Sequence, residues 1–546
     1  MMCGRGDGWV REAGEPLSAG DKGVGEKGIG NMIETAKDIK LNVLPLELFC
    51  EHLYYYEGPC RFGSGDALQP GYDEIVFAER AKKFIADIKA HVPEGTVVMD
   101  PVLFRRTDDW DEPEAQWEAM EAAVNAADVV VPMAGAGVQD LAFKFAQRFK
   151  KTMCYCPSSG AFNVPDVPAA IAARDVGYAC YSEYRWEDFV LRMVALRAKK
   201  IIARTKYLCV TRFDGTQSVS RPDSFTSLDH ITQRFGTRFH FANIHEFFDC
   251  MSAAVPEGNH TTPGRKTLNV DECDLKRAND ICDELIDGAE NVGMSREAML
   301  PSVVAYVITQ KFMDHFDCNA FSIPCPDACS TRRLNEGRFT MCLTHALNAE
   351  AGIPSACEYD LPAALSEQAL IAVSGRSPYM GNTCPIPVLD GKFKHVFGAT
   401  EEQLEELAQD PENIDRLWMT QHSVAHRCHP DPSAYAPYGI APFAYDQKFG
   451  ATLRYDFSRD KGEYVTLCKF SPDGSKMFIG KAEIVESSGK DKENCTQLVF
   501  YRFKDSLKAH RAQCKVGIHV ALVYGDYTKE LIALAEALDV EPLVVE

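Results

Sequence analysis

Between Leu41 and about residue 390, short apolar runs alternate with stretches of helical periodicity, and that alternation leaves few folds open. "LNVLPLELF" reads as a strand, after which Phe77, Ala81, Phe84, Ile85 and Ile88 recur at helical spacing. "TVVMDPVLF", "DVVVPMAG" and "TMCYCP" read as further strands, with helices at 117–127 and in "DLAFKFAQRF". Units of this kind require a parallel sheet covered on both faces. A first α/β domain is therefore expected over 38–200 and a second over 201–390. The second is expected to take strands from "YLCVTRF", "RFHFANI", "NAFSIPC" and "IPSACEY". Its helices are predicted near 272–289, 296–314, 341–349 and 361–374, with Gly375 stopping the last.

The texture changes after 390. Residues 391–440 are loop-rich, and "GATLRYDFS", "EYVTLCKFS", "KMFIGKAEIV" and "CTQLVFYRF" follow as short β runs. "SRDKG" and "SPDGS" read as hairpin turns between them. The chain ends on strand, turn, helix (Leu531, Leu534, Ala535, Leu538) and strand. The expected fold class is α/β: two successive Rossmann-like parallel α/β domains, then an antiparallel β-barrel-like domain over 391–546. Residues 1–37 are expected to be a disordered extension, because residues 1–31 hold nine glycines and little apolar periodicity. Met32 is an alternative start.

Several function classes are excluded by composition. Net charge is −21, from 79 acids against 58 bases, which disfavours nucleic-acid and anionic-membrane surfaces. No apolar run approaches the roughly 20 residues that span a bilayer, and no signal peptide opens the chain, so a cytoplasmic protein is expected. The 20 cysteines then read as free thiols, mostly buried as in "YLCVT" and "YVTLCKF", a usage that suits a strongly reducing or anaerobic cell.

Titratable residues in "GIPSACEYDLPAAL" draw attention first. Glu358 and Asp360 stand two apart, so on a strand they face one side, at the sheet edge where α/β folds bind ligands. Two oxygen ligands there suit Mn²⁺ or Mg²⁺. The alternative is that Asp360 caps the next helix and Glu358 is solvated. His519 interrupts the apolar run "KVGIHVALVYGDY" and is either a satisfied core histidine or a metal ligand. In "QHSVAHRCHPD", His422 and His426 have i,i+4 spacing, but Pro430 and Pro432 follow and leave a loop with His429 equally open. Cys325 and Cys329 resemble half a zinc site with no second pair at zinc-finger spacing. "GAGVQD" is a weak fragment of a dinucleotide loop, and Walker and GxSxG motifs are absent. Glu57 and Arg61 in "YYYEGPCRFG" are candidates for contact with a ligand, or for pairing with each other.

The segment from Met341 to Asn382, with its C-E-x-D element at 357–360, resembles the L-fucose/L-arabinose isomerase family, in particular its short branch. "YVTLCKFSPDGSKMFIGKAEIV" is similar to that family's C-terminal barrel and "GIHVALVYGDYTKEL" to its terminal histidine segment. The resemblance implies a metal-dependent enzyme, usually with Mn²⁺, that interconverts aldoses and ketoses through an enediolate. Asp360 and His519 match the metal aspartate and histidine, and Glu358 lies beside them. The family's acid/base glutamate falls on Glu336 by counting back from Asp360, whereas alignment of "LTHALN" puts Thr344 or Cys342 there. The catalytic expectation is therefore Glu336, Glu358 and Asp360; the metal expectation is Asp360, His519 and Glu358. Glu57, Arg61 and His422 are expected against a small polyol or carbonyl substrate in a homo-oligomer. The alternative chemistry is metal-dependent C–C hydrolysis that opens a cyclic 1,3-diketone such as dihydrophloroglucinol. A non-catalytic sugar-binding relative is the third class.

Overall fold

The computed structural model describes residues 33–51, 72–107, 111–134, 138–160, 165–212, 223–253, 267–329, 332–444 and 446–546. Most of the expected N-terminal extension, Glu57, Arg61 and the glycines of "GAGVQD" lie outside the described residues. Residues 33–37 of that expected extension are described, and Ala36 is buried in the core.

The first sheet joins β1 (Leu41–Glu51), β2 (Thr96–Val98), β3 (Val102–Thr107), β4 (Val129–Ala134), β5 (Met153–Tyr155) and β6 (Cys180–Ser182). All its pairings are parallel. The run expected as one strand, "TVVMDPVLF", is two, β2 and β3, both on the same edge of β1. The break falls at Asp100-Pro101, where proline brings no N–H to the ladder. Helix α1 (Trp186–Arg204) leads out of this sheet.

The second sheet, also parallel, has the order β10-β9-β7-β8, with β7 (Lys206–Thr211), β8 (Arg238–Asn243), β9 (Ala320–Ser322) and β10 (Ser355–Ala356). Four short or medium helices follow along the chain: α2 (Cys325–Cys329), α3 (Arg332–Gly337), α4 (Cys342–Glu350) and α5 (Leu361–Ser374). The expected strand "IPSACEY" is only β10. Beyond it Glu358 and Tyr359 take left-handed φ values of 62° and 60°, so the chain turns sharply and Glu358 and Asp360 do not share a strand face. Helix α5 is buried from Leu361 to Ala372, Ser366, Glu367 and Gln368 included, as a helix sandwiched between layers must be. Gly375 ends it at φ 67°, as its position predicts.

The C-terminal region is a closed antiparallel barrel. Its strands are β11 (Tyr379–Pro385), β12 (Leu417–Gln421), β13 (Tyr464–Phe470), β14 (Lys476–Ser488), β15 (Leu498–Arg502) and β16 (His519–Tyr524). They run β13-β16-β11-β12-β15-β14, and β14 pairs back onto β13. Strand β11 thus comes from upstream of residue 390. Helix α6 (Thr528–Leu538) and β17 (Glu541–Val545) close the chain, with β17 parallel on β14. "SPDGS" makes the β13–β14 hairpin as expected. "SRDKG" does not make one, because the strand before it, Phe449–Arg454, pairs with Gly439–Ala444 in a separate small sheet. The described cysteines are free thiols, and Cys209 and Cys468 are fully buried. Among the described residues no helix is long and apolar enough to cross a membrane.

Candidate metal centre

The barrel and the second sheet meet at α5, and the titratable residues converge there. Strand register explains the histidines. Asn382 on β11 pairs with His519 on one side and with Gln421 on the other. His422 is the next residue after Gln421, so the two imidazoles come within 5.7 Å, centroid to centroid. The sharp turn after β10 then swings Glu358 toward both. Its Oε1 lies 3.4 Å from His422 Nε2 and its Oε2 lies 3.6 Å from His519 Nε2. These separations are long for hydrogen bonds, and both Nε2 atoms are buried without a hydrogen-bond partner.

The other ring nitrogens are held. His519 Nδ1 faces Asp360 Oδ2 at 3.0 Å. His422 Nδ1 faces the Cys495 sulfur at 3.7 Å. Because a carboxylate can only accept, His519 carries its proton on Nδ1, and its Nε2 lone pair points at Glu358. An acceptor nitrogen facing a carboxylate is repulsive unless a proton or a cation lies between them. The ligand atoms of Glu358, His422 and His519 lie within 4.8 Å of one another, a spacing suited to a divalent cation.

Asp360 is engaged otherwise. Lys469 Nζ donates to both of its oxygens at 2.6 Å, and the Ala363 N–H donates to Oδ1 at 2.7 Å. The residue expected as a metal ligand therefore caps α5, neutralises a buried lysine and fixes the His519 tautomer, the outer-shell role that carboxylates play behind metal-binding histidines. Burial alone would push the Asp360 carboxyl up, but Lys469 and His519 outweigh it and hold it below the usual range. Asp223, which accepts the Ile518 N–H at 2.9 Å, stands close to Asp360 and His519, and burial pushes its carboxyl up.

The remaining expectations divide. Glu336 is on α3, 67% exposed and 3.7 Å from Arg332; it belongs to none of the cation-spaced clusters among the described residues. The reason is local: α3 is one short turn whose only buried residue is Leu334. His426 and His429 are not on a helix; they stack at 3.6 Å, and their ring nitrogens accept neighbouring backbone N–H groups. Burial pushes the His426 imidazole down to about 3 and His429 well below its ordinary value, as befits neutral core rings. His422 alone of that trio reaches the site. Burial would push it down too, but Cys495 and Glu358 raise it well above the ordinary imidazole value, and His422 in turn draws the Cys495 thiol down against its burial.

Sequence reasoning missed Lys469, Asp223 and Cys495. Lys469 did leave a signal: it takes the inward register of Val465 and Leu467 in "YVTLCKF", where a charge demands a buried partner. Also unanticipated is the approach of His345 Nε2 to the Cys325 sulfur, 3.6 Å, with Cys357 beside them. The Cys357 thiol, overcoming burial together with His345, holds Cys325 well below the usual thiol range, while Cys357 is itself pushed up. No protein-family model matches the chain, and no curated protein matches it.

Proposed function

We propose that the chain is a divalent-metal-dependent enzyme acting on a carbonyl substrate, and that it opens a C–C bond of a cyclic 1,3-diketone by addition of water. The observation that carries this reading is the pair of unpartnered buried Nε2 atoms, on His422 and His519, facing the Glu358 carboxylate. Mn²⁺ is the cation suggested by the resemblance of the 357–360 and His519 segments to the fucose/arabinose isomerases. A cation held by these three side chains supplies Lewis acidity, polarising a carbonyl and making water more acidic. Asp360 keeps the His519 Nε2 lone pair directed at the site, and Lys469 keeps Asp360 ionised. Cys495 orients His422. Water made more acidic in this way would supply the hydroxyl added to the carbonyl, and its proton would go to the leaving carbon.

Hydrolysis is favoured over isomerisation by the position of Glu336. Moving a proton between two carbons needs a base besides the metal-holding groups, and the carboxylate expected for that task is exposed on α3. The second reading, aldose–ketose isomerisation, is favoured by the 3.0 Å contact of Asp360 with His519, which joins the two positions that the resemblance singles out. One experiment separates the two. Metal-stripped protein is reloaded with Mn²⁺ and offered dihydrophloroglucinol and, separately, a panel of aldoses and ketoses. Loss of the diketone absorbance with release of one acid equivalent is expected. Turnover of a sugar with no ring opening would replace the first reading by the second, and inactivity towards both would reject both.

A further inference from the structure

We infer that Cys325, His345 and Cys357 form a second cation site, for a soft divalent ion such as Zn²⁺, separate from the oxygen-and-nitrogen site of Glu358, His422 and His519. The backbone brings the three together. β9 and β10 are adjacent parallel strands, with Phe321 opposite Ser355 and Ser322 opposite Ala356. Cys325 begins α2 just past the end of β9, and Cys357 follows β10 directly, so both thiols leave the same sheet edge side by side. His345 comes from α4, which packs against β10.

The geometry fits zinc. Ligand atoms of the three residues lie within 4.8 Å of one another. Zn–S and Zn–N bonds of about 2.3 and 2.1 Å at a tetrahedral angle place sulfur and nitrogen about 3.6 Å apart. The observed distance from Cys325 Sγ to His345 Nε2 is 3.6 Å.

The imidazole is also braced for the task. His345 Nδ1 lies 2.9 Å from Ser355 Oγ, which accepts the Asn348 side-chain N–H at 3.0 Å, while the Ser355 N–H donates to Glu367. With the Nδ1 proton given to Ser355, Nε2 turns its lone pair to the sulfurs, the arrangement seen behind metal-bound histidines. Two thiols and an imidazole select a soft ion, whereas a carboxylate and two imidazoles also accept Mn²⁺. Three protein ligands leave a fourth tetrahedral position open, as in sites that take a water or a substrate. Cys325 is the partly exposed member and His345 and Cys357 are buried, so an ion enters past Cys325.

The site does not depend on the proposed reaction and is tested without it. Full-length protein, reduced and stripped of metal, is titrated with Cd²⁺ while the ultraviolet thiolate-to-metal charge-transfer band is followed, and with Mn²⁺ in parallel. Wild type is expected to show the band and to lose one bound Cd²⁺ equivalent in Cys325→Ser and in Cys357→Ser, both still binding Mn²⁺. Glu358→Gln is expected to keep the band. Far-ultraviolet circular dichroism checks each fold, and if the buried Cys357→Ser does not fold, the partly exposed Cys325→Ser decides alone. No band in wild type, a band unchanged in Cys325→Ser, or a Cys325–Cys357 disulfide found by peptide mapping of the native protein would overturn the proposal.

Discussion

Lys469 and Asp360 form an ion pair sealed from solvent: the ammonium lies 2.6 Å from each carboxylate oxygen, and neither side chain has exposed surface. Strand β13 supplies the lysine and the start of α5 supplies the aspartate, so the pair ties the barrel to the second sheet. It also decides what Asp360 does for the candidate centre. A carboxylate already shared by an ammonium, a helix N-terminus and an imidazole would act on a bound cation through His519.

Replacing Lys469 by Met leaves Asp360 buried without its counter-charge. Removing one partner of a buried pair typically destabilises by about 3–5 kcal/mol, to be read from denaturant midpoints. Asp360→Asn keeps the cap, since Asn serves there as well as Asp. It weakens His519, and loss of an outer-shell partner of this kind lowers metal affinity about 10–100-fold. Bound Mn²⁺ is therefore expected to weaken in Asp360→Asn and to disappear in Glu358→Gln and His422→Ala. The reverse order, measured by calorimetric titration, would return Asp360 to the ligand set.

Metal affinity should climb with pH. Burial would push the His422 imidazole down, but Cys495 and Glu358 raise it well above its ordinary value, so in the metal-free protein it holds a proton more tightly than a free imidazole does. A cation must displace that proton. Calorimetry in buffers of different ionisation enthalpy should register proton release on Mn²⁺ binding near pH 7, shrinking as pH rises through the raised value. In the metal-free protein the sign for stability is opposite. The stabilisation from charged His422 is complete below the ordinary imidazole value of 6.5 and is lost as pH rises through the folded one.

Glu367 gives a second pH signature. Burial in α5 pushes its carboxyl up to about 8 from an ordinary 4.5, against the Ser355 N–H that it accepts. The folded state prefers the neutral acid, so stability from this group is complete below pH 4.5 and falls as pH rises to about 8. Glu367→Gln preserves an acceptor for Ser355 and does not titrate. Its melting temperature should gain on wild type across that window and run parallel above it; a constant gap would mean that Glu367 stays charged.

The sequence disclosed layers more readily than site geometry. Parallel strands with helices between them, the β13–β14 hairpin and the Gly375 stop follow from periodicity and turn chemistry, which act locally. The pairing of His519 with Asp360 was legible only through resemblance, because 159 residues separate them. Glu358 was misplaced on a strand because a left-handed backbone at a glutamate has no propensity signal. Cys325 and Cys357 were read apart because the strands that align them are two and three residues long, set by tertiary pairing.

Gly381 tests whether the site depends on how closely β11 and β12 approach. A Cβ built at Gly381 would lie 2.5 Å from the Gln421 carbonyl oxygen and 3.0 Å from the His422 Cβ. Backbone cannot yield as a flexible side chain does, so Gly381→Ala must push apart the strands that Asn382 holds in register between Gln421 and His519. Overpacking of this kind typically destabilises by about 1–3 kcal/mol. The larger effect should fall on the cation, because the displaced residue is His422 and its Nε2 must stay in reach of Glu358. Mn²⁺ affinity is expected to drop in Gly381→Ala by more than in a control of equal stability loss, such as Leu467→Ala in β13. Equal metal affinity in the two variants would mean that His422 does not hold the ion.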